Sequence, residues 1–157
     1  MNKDLSVMIE DVKLNVRVGA IIRYKGKILV EKNNNVDFGV IPGGRVKTLE
    51  SSKDALIREV KEEIGIDLSN TEMNIVSSIE NFFEFDGKKY HELYYVYNIN
   101  LDDSYELYDG MSNLDNGDSK YYLLTEDEFK QDKILPEVLK DIIRVNSFEN
   151  YIVNDLK

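Results

Sequence analysis

The order of the segments in this chain predicts an α/β fold, specifically an α/β/α sandwich with a mixed β-sheet. Segments with strand character come first, one amphipathic helix lies in the middle, and further strands precede helical segments near the end. The 157 residues, of which 42% are hydrophobic, match the size and apolar content of one domain. We therefore expect a single domain over residues 1–157.

The first part of the chain predicts a hairpin with an additional edge strand. Apolar and polar residues alternate from Leu14 to Arg23, which is the period of a strand with one face buried. Tyr24–Lys27 has the composition of a turn, and Ile28–Lys32 continues as the partner strand. Ser6–Ile9 predicts a short strand at the edge of the sheet.

A proline and glycine loop then leads into the central helix. Gly39–Ile41 precedes Pro42-Gly43-Gly44, where the absence of side chains lets the backbone approach a ligand closely. We expect the helix to span Ser52–Ile64, with Ser51 or Ser52 as its N-cap and Gly65 as a left-handed C-terminal cap.

The second half of the chain predicts a long hairpin followed by a loop. Met73–Phe85 and Lys88–Asn100 are strands rich in aromatic and β-branched residues, and Asp86-Gly87 between them favours a tight turn. Leu101–Ser119 is acidic, has no sustained periodicity and is predicted to be a long loop.

Short elements are predicted at the end of the chain. Lys120–Leu124 should form a strand, and Thr125 with Glu128 has the spacing of a capping box at a helix start. Pro136 suits the first turn of a last helix that we expect to reach about Val145.

The central helix places three glutamates on one face. On an ideal helix with Glu59 at zero, Glu63 lies at about +40° and Glu62 at about −60°. An apolar stripe that includes Leu56 and Val60 lies beside them and would pack on the sheet. Clustered like charges weaken a helix, and on their own such glutamates usually form a solvated face.

The spacing around these glutamates favours a specific site. Five residues separate Gly44 from Glu50, and seven more separate Glu50 from the segment 58–66, REVKEEIGI. These residues match every fixed position of the Nudix box, which here spans residues 44–66. The chain therefore resembles a Nudix hydrolase. The resemblance implies the Nudix-type α/β/α sandwich. It also implies Mg²⁺-dependent hydrolysis, by water attack on phosphorus, of the diphosphate linkage in a nucleoside diphosphate derivative or nucleoside triphosphate.

The resemblance also implies a metal-binding set. It consists of Glu59, Glu62 and Glu63 with a backbone carbonyl near Gly43, and we expect Glu59 and Glu63 to be the direct ligands. Composition agrees, because the chain has no Cys and one His, so carboxylate oxygens are the remaining metal-binding groups. Such hard ligands suit Mg²⁺, with Mn²⁺ as a substitute.

Further residues are candidates for catalytic roles. Arg58 would brace Glu50 or Glu59, and the position of Glu50 in the box implies that it belongs to the metal shell or orients the site. The water-activating base is open between Glu62 and an acid of the long loop. The loop candidates are Asp102, Asp103, Glu106, Asp109, Asp115 and Asp118.

Substrate contacts outside the box are less constrained. Three arginines could reach phosphates: Arg17, Arg23 and Arg45. Four aromatic residues could stack a base or belong to the core: Phe82, Phe83, Tyr94 and Tyr95. Two strand residues could face a cleft or lie on the strand surface: His91 and Glu92.

The net charge of −10 argues against long nucleic acids and anionic membranes as partners, but not against a small phosphorylated substrate that arrives with cations. The chain has no apolar run of membrane-spanning length and no signal-peptide pattern, so we expect a cytoplasmic protein without membrane contact.

Exposed N-terminal strands would permit a homodimer. The alternative function is a Nudix fold that senses a nucleotide without turnover.

Overall fold

The computed structural model describes residues 2–156, which form ten strands and three helices. The strands are β1 (Ser6–Ile9), β2 (Val12–Tyr24), β3 (Lys27–Asn33), β4 (Gly39–Val40), β5 (Gly43–Arg45), β6 (Asn74–Phe85), β7 (Lys88–Leu101), β8 (Met111–Ser112), β9 (Ser119–Leu124) and β10 (Glu149–Asn154). The helices are α1 (Ser52–Ile64), α2 (Glu126–Gln131) and α3 (Leu139–Ile142).

The strands form one mixed sheet, as predicted. Its order is β10-β6-β7-β2-β3-β9-β8, with β1 and β5 paired to β2 and β4 paired to β3. The pairs β2–β7 and β6–β10 are parallel, and the other pairs are antiparallel. The long parallel pairing of β2 with β7 brings residues about 77 positions apart into direct contact, for example Asn15 opposite Glu92.

Helices cover both faces of the sheet because side chains alternate along β2. Ala20 and its neighbours on the same face belong to a core cluster that includes Leu56 and Val60 of α1. Ile21 points to the other face and belongs to a second cluster with Phe129 of α2 and Leu139 of α3. The predicted α/β/α sandwich is therefore confirmed.

The central helix has the bounds that its capping residues predict. Ser51 is the N-cap, and its side chain accepts a hydrogen bond from the Asp54 N–H at 3.0 Å. Gly65 has a φ of 82° and donates its N–H to the carbonyls of Val60 and Lys61, which ends the helix. The predicted capping box of Thr125 and Glu128 is also present at the start of α2.

The end of the chain differs from the prediction. The helix expected from Pro136 to about Val145 is wrong in extent, because most backbone bonds in this segment span three residues and only Leu139–Ile142 is α-helical. Strand β10 was not predicted. Its Tyr151 and Val153 pack on the core while Ile152 between them is 69% exposed, so three successive apolar residues conceal the alternation.

The loop predicted over Leu101–Ser119 is also more ordered than expected, since β8 lies within it. Strands β4 and β5 lie where a proline and glycine loop was expected and were not predicted, whereas β1, β2, β3, β6, β7 and β9 agree with their predicted positions to within a few residues. Among residues 2–156, none of the helices has both the length and the apolar character needed to cross a membrane.

Packing of α1 on the sheet predicts the effect of a core substitution. Leu56→Ala should lower the free energy of unfolding by about 2–5 kcal/mol, because the side chain is completely buried and its removal leaves a cavity. Urea denaturation followed by circular dichroism measures this change. Leu49→Ala is the matched control, since Leu49 is 100% exposed, and an equal loss in both variants would contradict the packing of α1.

Candidate active site

The guanidinium of Arg58 connects the central helix to the loop before it. Its Nε and Nη2 donate to the two carboxylate oxygens of Glu50 at 2.9 and 3.0 Å, and Nη2 also donates to the Arg45 carbonyl at 3.0 Å. Nη1 donates to Glu59 Oε1 at 2.9 Å. These hydrogen bonds keep the pKa of Glu50 below its usual value and raise the pKa of Arg58.

The carboxylate of Glu59 lies against the backbone of the glycine loop. A Cβ on Gly44 would collide with this carboxylate, and a Cβ on Gly43 would collide with the Val18 carbonyl of the adjacent strand. Only glycine therefore allows the loop, the strand and the carboxylate to come this close. Burial raises the pKa of Glu59, although Arg58 acts in the opposite direction.

Glu63 faces a second carboxylate across a buried tyrosine. The Tyr121 hydroxyl donates to Glu63 Oε2 at 3.4 Å, and the Asn113 side chain donates to that hydroxyl and to Glu31 Oε2, both at 3.2 Å. Burial, together with the negative charges of Glu31 and Glu59, raises the pKa of Glu63 to about 8.

Glu62 is set apart from the other two helix glutamates. Its side chain is 47% exposed, and one oxygen lies 3.5 Å from Arg58 Nη1. Within residues 2–156, no three acidic or histidine side chains are already close enough together to form a complete metal-binding group. The glutamates of the helix therefore divide into a partly buried pair, Glu59 and Glu63, and an exposed Glu62.

The acid that approaches this pair from outside the helix is Glu31 of β3, which the sequence did not indicate. The loop aspartates do not take this position: Asp102, for example, accepts from Ser104, and Asp109 accepts from the Leu123 N–H. The loop instead contributes Asn113. The sequence offered one signal for Glu31, which is an acidic residue that directly follows the apolar residues of β3. Its position opposite Tyr121 could not be predicted, because that position depends on the pairing of β3 with β9.

A cavity of about 990 Å³ lies on the opposite face of the sheet. Arg17 and Arg45 line it, as do Phe83, Tyr94 and Glu92 from the predicted candidates, and Leu135 and Pro136 form part of its wall. Two successive residues of β5 face opposite sides of the sheet, so Gly44 contacts Glu59 of the acidic group while Arg45 lines the cavity. Strand β5 is therefore the element that contacts both the acidic group and the cavity.

The other candidate residues lie elsewhere. Arg23 donates to Asn98 and to the Ile143 carbonyl, so it supports α3 rather than the cavity. Tyr95 packs against the core on the α1 side. Phe82 and His91 contact each other, with ring centroids 4.5 Å apart, and do not line the cavity.

Comparison with known families agrees with this architecture. The family model described as the NUDIX domain matches residues 13–142, which is most of the chain. The chain belongs to the NUDIX family. Residues 44–66, whose spacing resembles the Nudix box, lie within this match.

Two named relatives match parts of this Nudix chain. It is 29% identical to an 8-oxo-dGTP diphosphatase from Proteus vulgaris over 80 residues, which are 48% of this chain and 70% of the relative. It is 43% identical to the mRNA-decapping protein D10 of fowlpox virus (strain NVSL) over 49 residues. That match covers 31% of this chain and only 22% of the viral protein.

Solved Nudix structures share the fold. A MutT Nudix hydrolase from Burkholderia pseudomallei has a TM-score of 0.62 at 22% identity, and the match covers 85% of this chain and 98% of the other. A MutT protein from Methanosarcina mazei Go1 has a TM-score of 0.58 at 25% identity, covering 86% of this chain and 93% of the other.

Nudix hydrolases generally use divalent metals and act on nucleotide substrates, and the side chains of this site fit a divalent cation. Glu59 and Glu63 are partly buried carboxylates whose pKa values are raised by burial, and Glu31 adds a third negative charge nearby. Arg58 pairs with Glu59 but is shared with Glu50, and among residues 2–156 Glu63 forms no ion pair within 4.0 Å. Oxygen ligands with this excess of negative charge favour Mg²⁺ or a similar hard cation.

The raised pKa of Glu63 predicts a pH effect on stability. In metal-free protein the folded state holds the Glu63 proton up to about pH 8, whereas the unfolded state loses it near the ordinary value of 4.5. This contribution to stability is complete below the unfolded pKa and is lost as the pH rises through the folded pKa. Glu63→Gln should therefore melt a few degrees higher than wild type at pH 8, and the difference should shrink at pH 5.

Differential scanning fluorimetry in the presence of a chelator measures both melting temperatures. Glu62→Gln is the matched control because its side chain is half exposed, and it should follow the wild-type pH dependence. A Glu63→Gln curve parallel to wild type from pH 5 to pH 8 would contradict the buried environment of Glu63.

Proposed function

We propose that this chain is a Mg²⁺-dependent hydrolase that cleaves the diphosphate linkage of a nucleoside diphosphate derivative or nucleoside triphosphate. The observation that carries the proposal is the position of Glu59, which Arg58 holds against Gly44, beside the buried carboxylate of Glu63. This arrangement supplies oxygen ligands next to a backbone that a phosphate can approach. Mn²⁺ would substitute for Mg²⁺ at such ligands.

Each acidic residue is assigned a role. Glu59, Glu63 and the Gly43 carbonyl would hold the cation, and Glu31 would complete the negative pocket from the side of β3. Glu62 is assigned as the general base because it is the most exposed of the helix glutamates. A bound Mg²⁺ would supply positive charge that offsets the charge of the phosphate oxygens and favours loss of a proton from the attacking water.

The chain's own residues then position the reaction. Glu62 accepts a proton from the attacking water, the water oxygen forms a bond to phosphorus, and the bridging P–O bond breaks with its electron pair leaving on the departing phosphate. Glu50 has no contact with the reacting atoms in this scheme. It holds Arg58, and through Arg58 it holds the orientation of Glu59.

The cavity is assigned to the group attached to the diphosphate. Arg17 and Arg45 at its lining would bind phosphate oxygens, and the aromatic residues would contact a base. The Proteus vulgaris relative is named for 8-oxo-dGTP and the fowlpox relative for mRNA decapping. Both names are consistent with a nucleotide polyphosphate as the substrate of this chain.

Strand β1 offers an exposed apolar edge for assembly. Val7, Met8 and Ile9 of β1 are more than half exposed, and we propose that this strand allows a homodimer, which size-exclusion chromatography with light scattering would measure. A nucleotide substrate is also consistent with a protein that acts in the cytoplasm.

The central test is a phosphate-release screen over nucleoside triphosphates, oxidised nucleotides and nucleotide sugars, with and without Mg²⁺. At least one compound should be hydrolysed only with Mg²⁺. Glu59→Gln and Glu63→Gln should lower kcat/KM by about 10²-fold or more, because each removes a charged oxygen ligand.

Glu126→Gln, in an exposed position of α2, is the control and should behave as wild type. Folding of each variant is checked by circular dichroism. Binding of nucleotides without Mg²⁺-dependent product from any compound would instead favour a nucleotide sensor, and full activity of both site variants would refute the metal assignment.

The bidentate role of Arg58 is tested by Arg58→Lys. Lysine keeps the charge but cannot reach both Glu50 oxygens, the Arg45 carbonyl and Glu59 together. We expect a loss of about 10- to 100-fold in activity and in Mg²⁺ affinity. Isothermal titration calorimetry with Mg²⁺ measures the affinity. Lys61→Arg, on the exposed face of the same helix, is the control. Unchanged Mg²⁺ affinity in Arg58→Lys would exclude this positioning role.

A further inference from the structure

We propose that the cavity recognises the guanine ring of the substrate through Glu92 and Asn81. This inference rests on the proposed function, because it assigns the cavity to the base of a nucleotide. It is carried by a row of buried polar side chains in the floor of the cavity, and not by the similarity to any relative.

The polar row crosses three neighbouring strands. Asn15 of β2 lies opposite Glu92 of β7, and Glu92 lies opposite Asn81 of β6. All three side chains line the cavity and are at least nine-tenths buried, with Glu92 7% exposed and Asn81 6% exposed. Polar groups in the centre of a sheet are costly unless they have hydrogen-bond partners, so their placement here requires an explanation.

Asn15 is already fully engaged within the protein. Ser6 Oγ donates to Asn15 Oδ1 at 2.6 Å, which directs the Asn15 Nδ2 group towards Glu92 Oε2 at 3.2 Å. Asn15 therefore orients the Glu92 carboxylate through one hydrogen bond and leaves both carboxylate oxygens able to accept further hydrogen bonds. Among residues 2–156, Glu92 forms no ion pair within 4.0 Å, so its remaining capacity is for donors from a ligand.

Asn81 has no side-chain hydrogen bond to any of the described residues, although it is almost completely buried. Among residues 2–156, every side-chain nitrogen or oxygen atom that is inaccessible to solvent has a hydrogen-bond partner. The Asn81 amide must therefore open onto the cavity. It offers a donor and an acceptor beside the Glu92 carboxylate.

The surroundings of this row favour a flat aromatic ligand. Phe83 and Tyr90 are stacked with centroids 5.0 Å apart, and Phe38 and Phe85 meet edge to face at 6.1 Å. All four residues line the cavity together with Tyr94. A purine can lie between such apolar walls while its polar edge meets the row.

The hydrogen-bonding pattern selects among the bases. Guanine presents one acceptor, O6, and two adjacent donors, N1–H and the N2 amino group. These match the Asn81 amide nitrogen and the acceptor-only carboxylate of Glu92. Adenine would direct the lone pair of N1 at the carboxylate, uracil would direct carbonyl oxygens, and cytosine would direct N3, so each would meet repulsion at one position. An oxidised guanine with an unchanged edge would be accepted equally.

The test measures binding of GMP, IMP and AMP to the metal-free protein by isothermal titration calorimetry. IMP keeps O6 and N1–H but lacks the amino group, so it isolates one hydrogen bond. We expect GMP to bind about 10-fold or more tightly than IMP, and AMP to bind weakest, as expected for hydrogen bonds to a charged acceptor.

Glu92→Gln should remove the difference between GMP and IMP, because an amide nitrogen would then face a ligand donor. Glu84→Gln, which is also at the cavity but exposed, should leave this difference unchanged. The comparison of nucleotides on the wild-type protein remains decisive if Glu92→Gln fails to fold.

Equal affinity for the three nucleotides would overturn the inference, as would affinity that depends on the ribose hydroxyls rather than on the base. The hydrolysis screen separates this outcome from failure of the proposed function. Mg²⁺-dependent hydrolysis without base preference would refute only the guanine assignment. Base-selective binding without hydrolysis of any nucleotide would refute only the proposed catalysis.

Discussion

The hydrogen bonds of Arg58 are the constraint on which the rest of the site depends. One guanidinium binds Glu50, Glu59 and the Arg45 carbonyl, so it joins β5, the following turn and α1. Glu50 in turn accepts the Lys47 N–H at 3.0 Å, which closes the turn between them. The planar fork of arginine is suited to such a set of partners, because its donors leave the group in fixed directions.

This one cation does not balance the acidic residues around it. Glu50 and Glu59 share Arg58, while Glu63 and Glu31 face each other around Tyr121, with Asn113 as their neutral neighbour. Burial raises the pKa of Tyr121, and the adjacent carboxylates raise it further, so the phenol stays protonated. The metal-free protein relieves part of this repulsion, because Glu63 keeps its proton up to about pH 8. Such an arrangement is typical of functional sites, where local stability is lower than the fold could reach.

The sequence predicted those parts of the structure that depend on local spacing. The helix bounds, the Ser51 cap, the Gly65 cap and the contacts of Arg58 all follow from residues within one segment. Glu31 and the polar row of the cavity could not be predicted in this way. Glu31 meets Glu63 only through the pairing of β3 with β9, and Glu92 meets Asn15 only through the parallel pairing of β7 with β2. Pairings between strands far apart in sequence leave no periodic signal within either strand.

The two regions of the site lie on opposite faces of the sheet because β5 is extended. In a strand, neighbouring residues point to opposite sides, so Gly44 contacts the Glu59 carboxylate while Arg45 lines the cavity. The absence of a side chain at Gly44 lets the acidic group approach, whereas the Arg45 guanidinium lies 3.7 Å from the Asp4 carboxylate. The Arg45 backbone carbonyl accepts from Arg58 at the same time. The Arg45 backbone is therefore held by the same guanidinium that orients Glu59, and this links the proposed site of hydrolysis to the cavity that we propose holds the base.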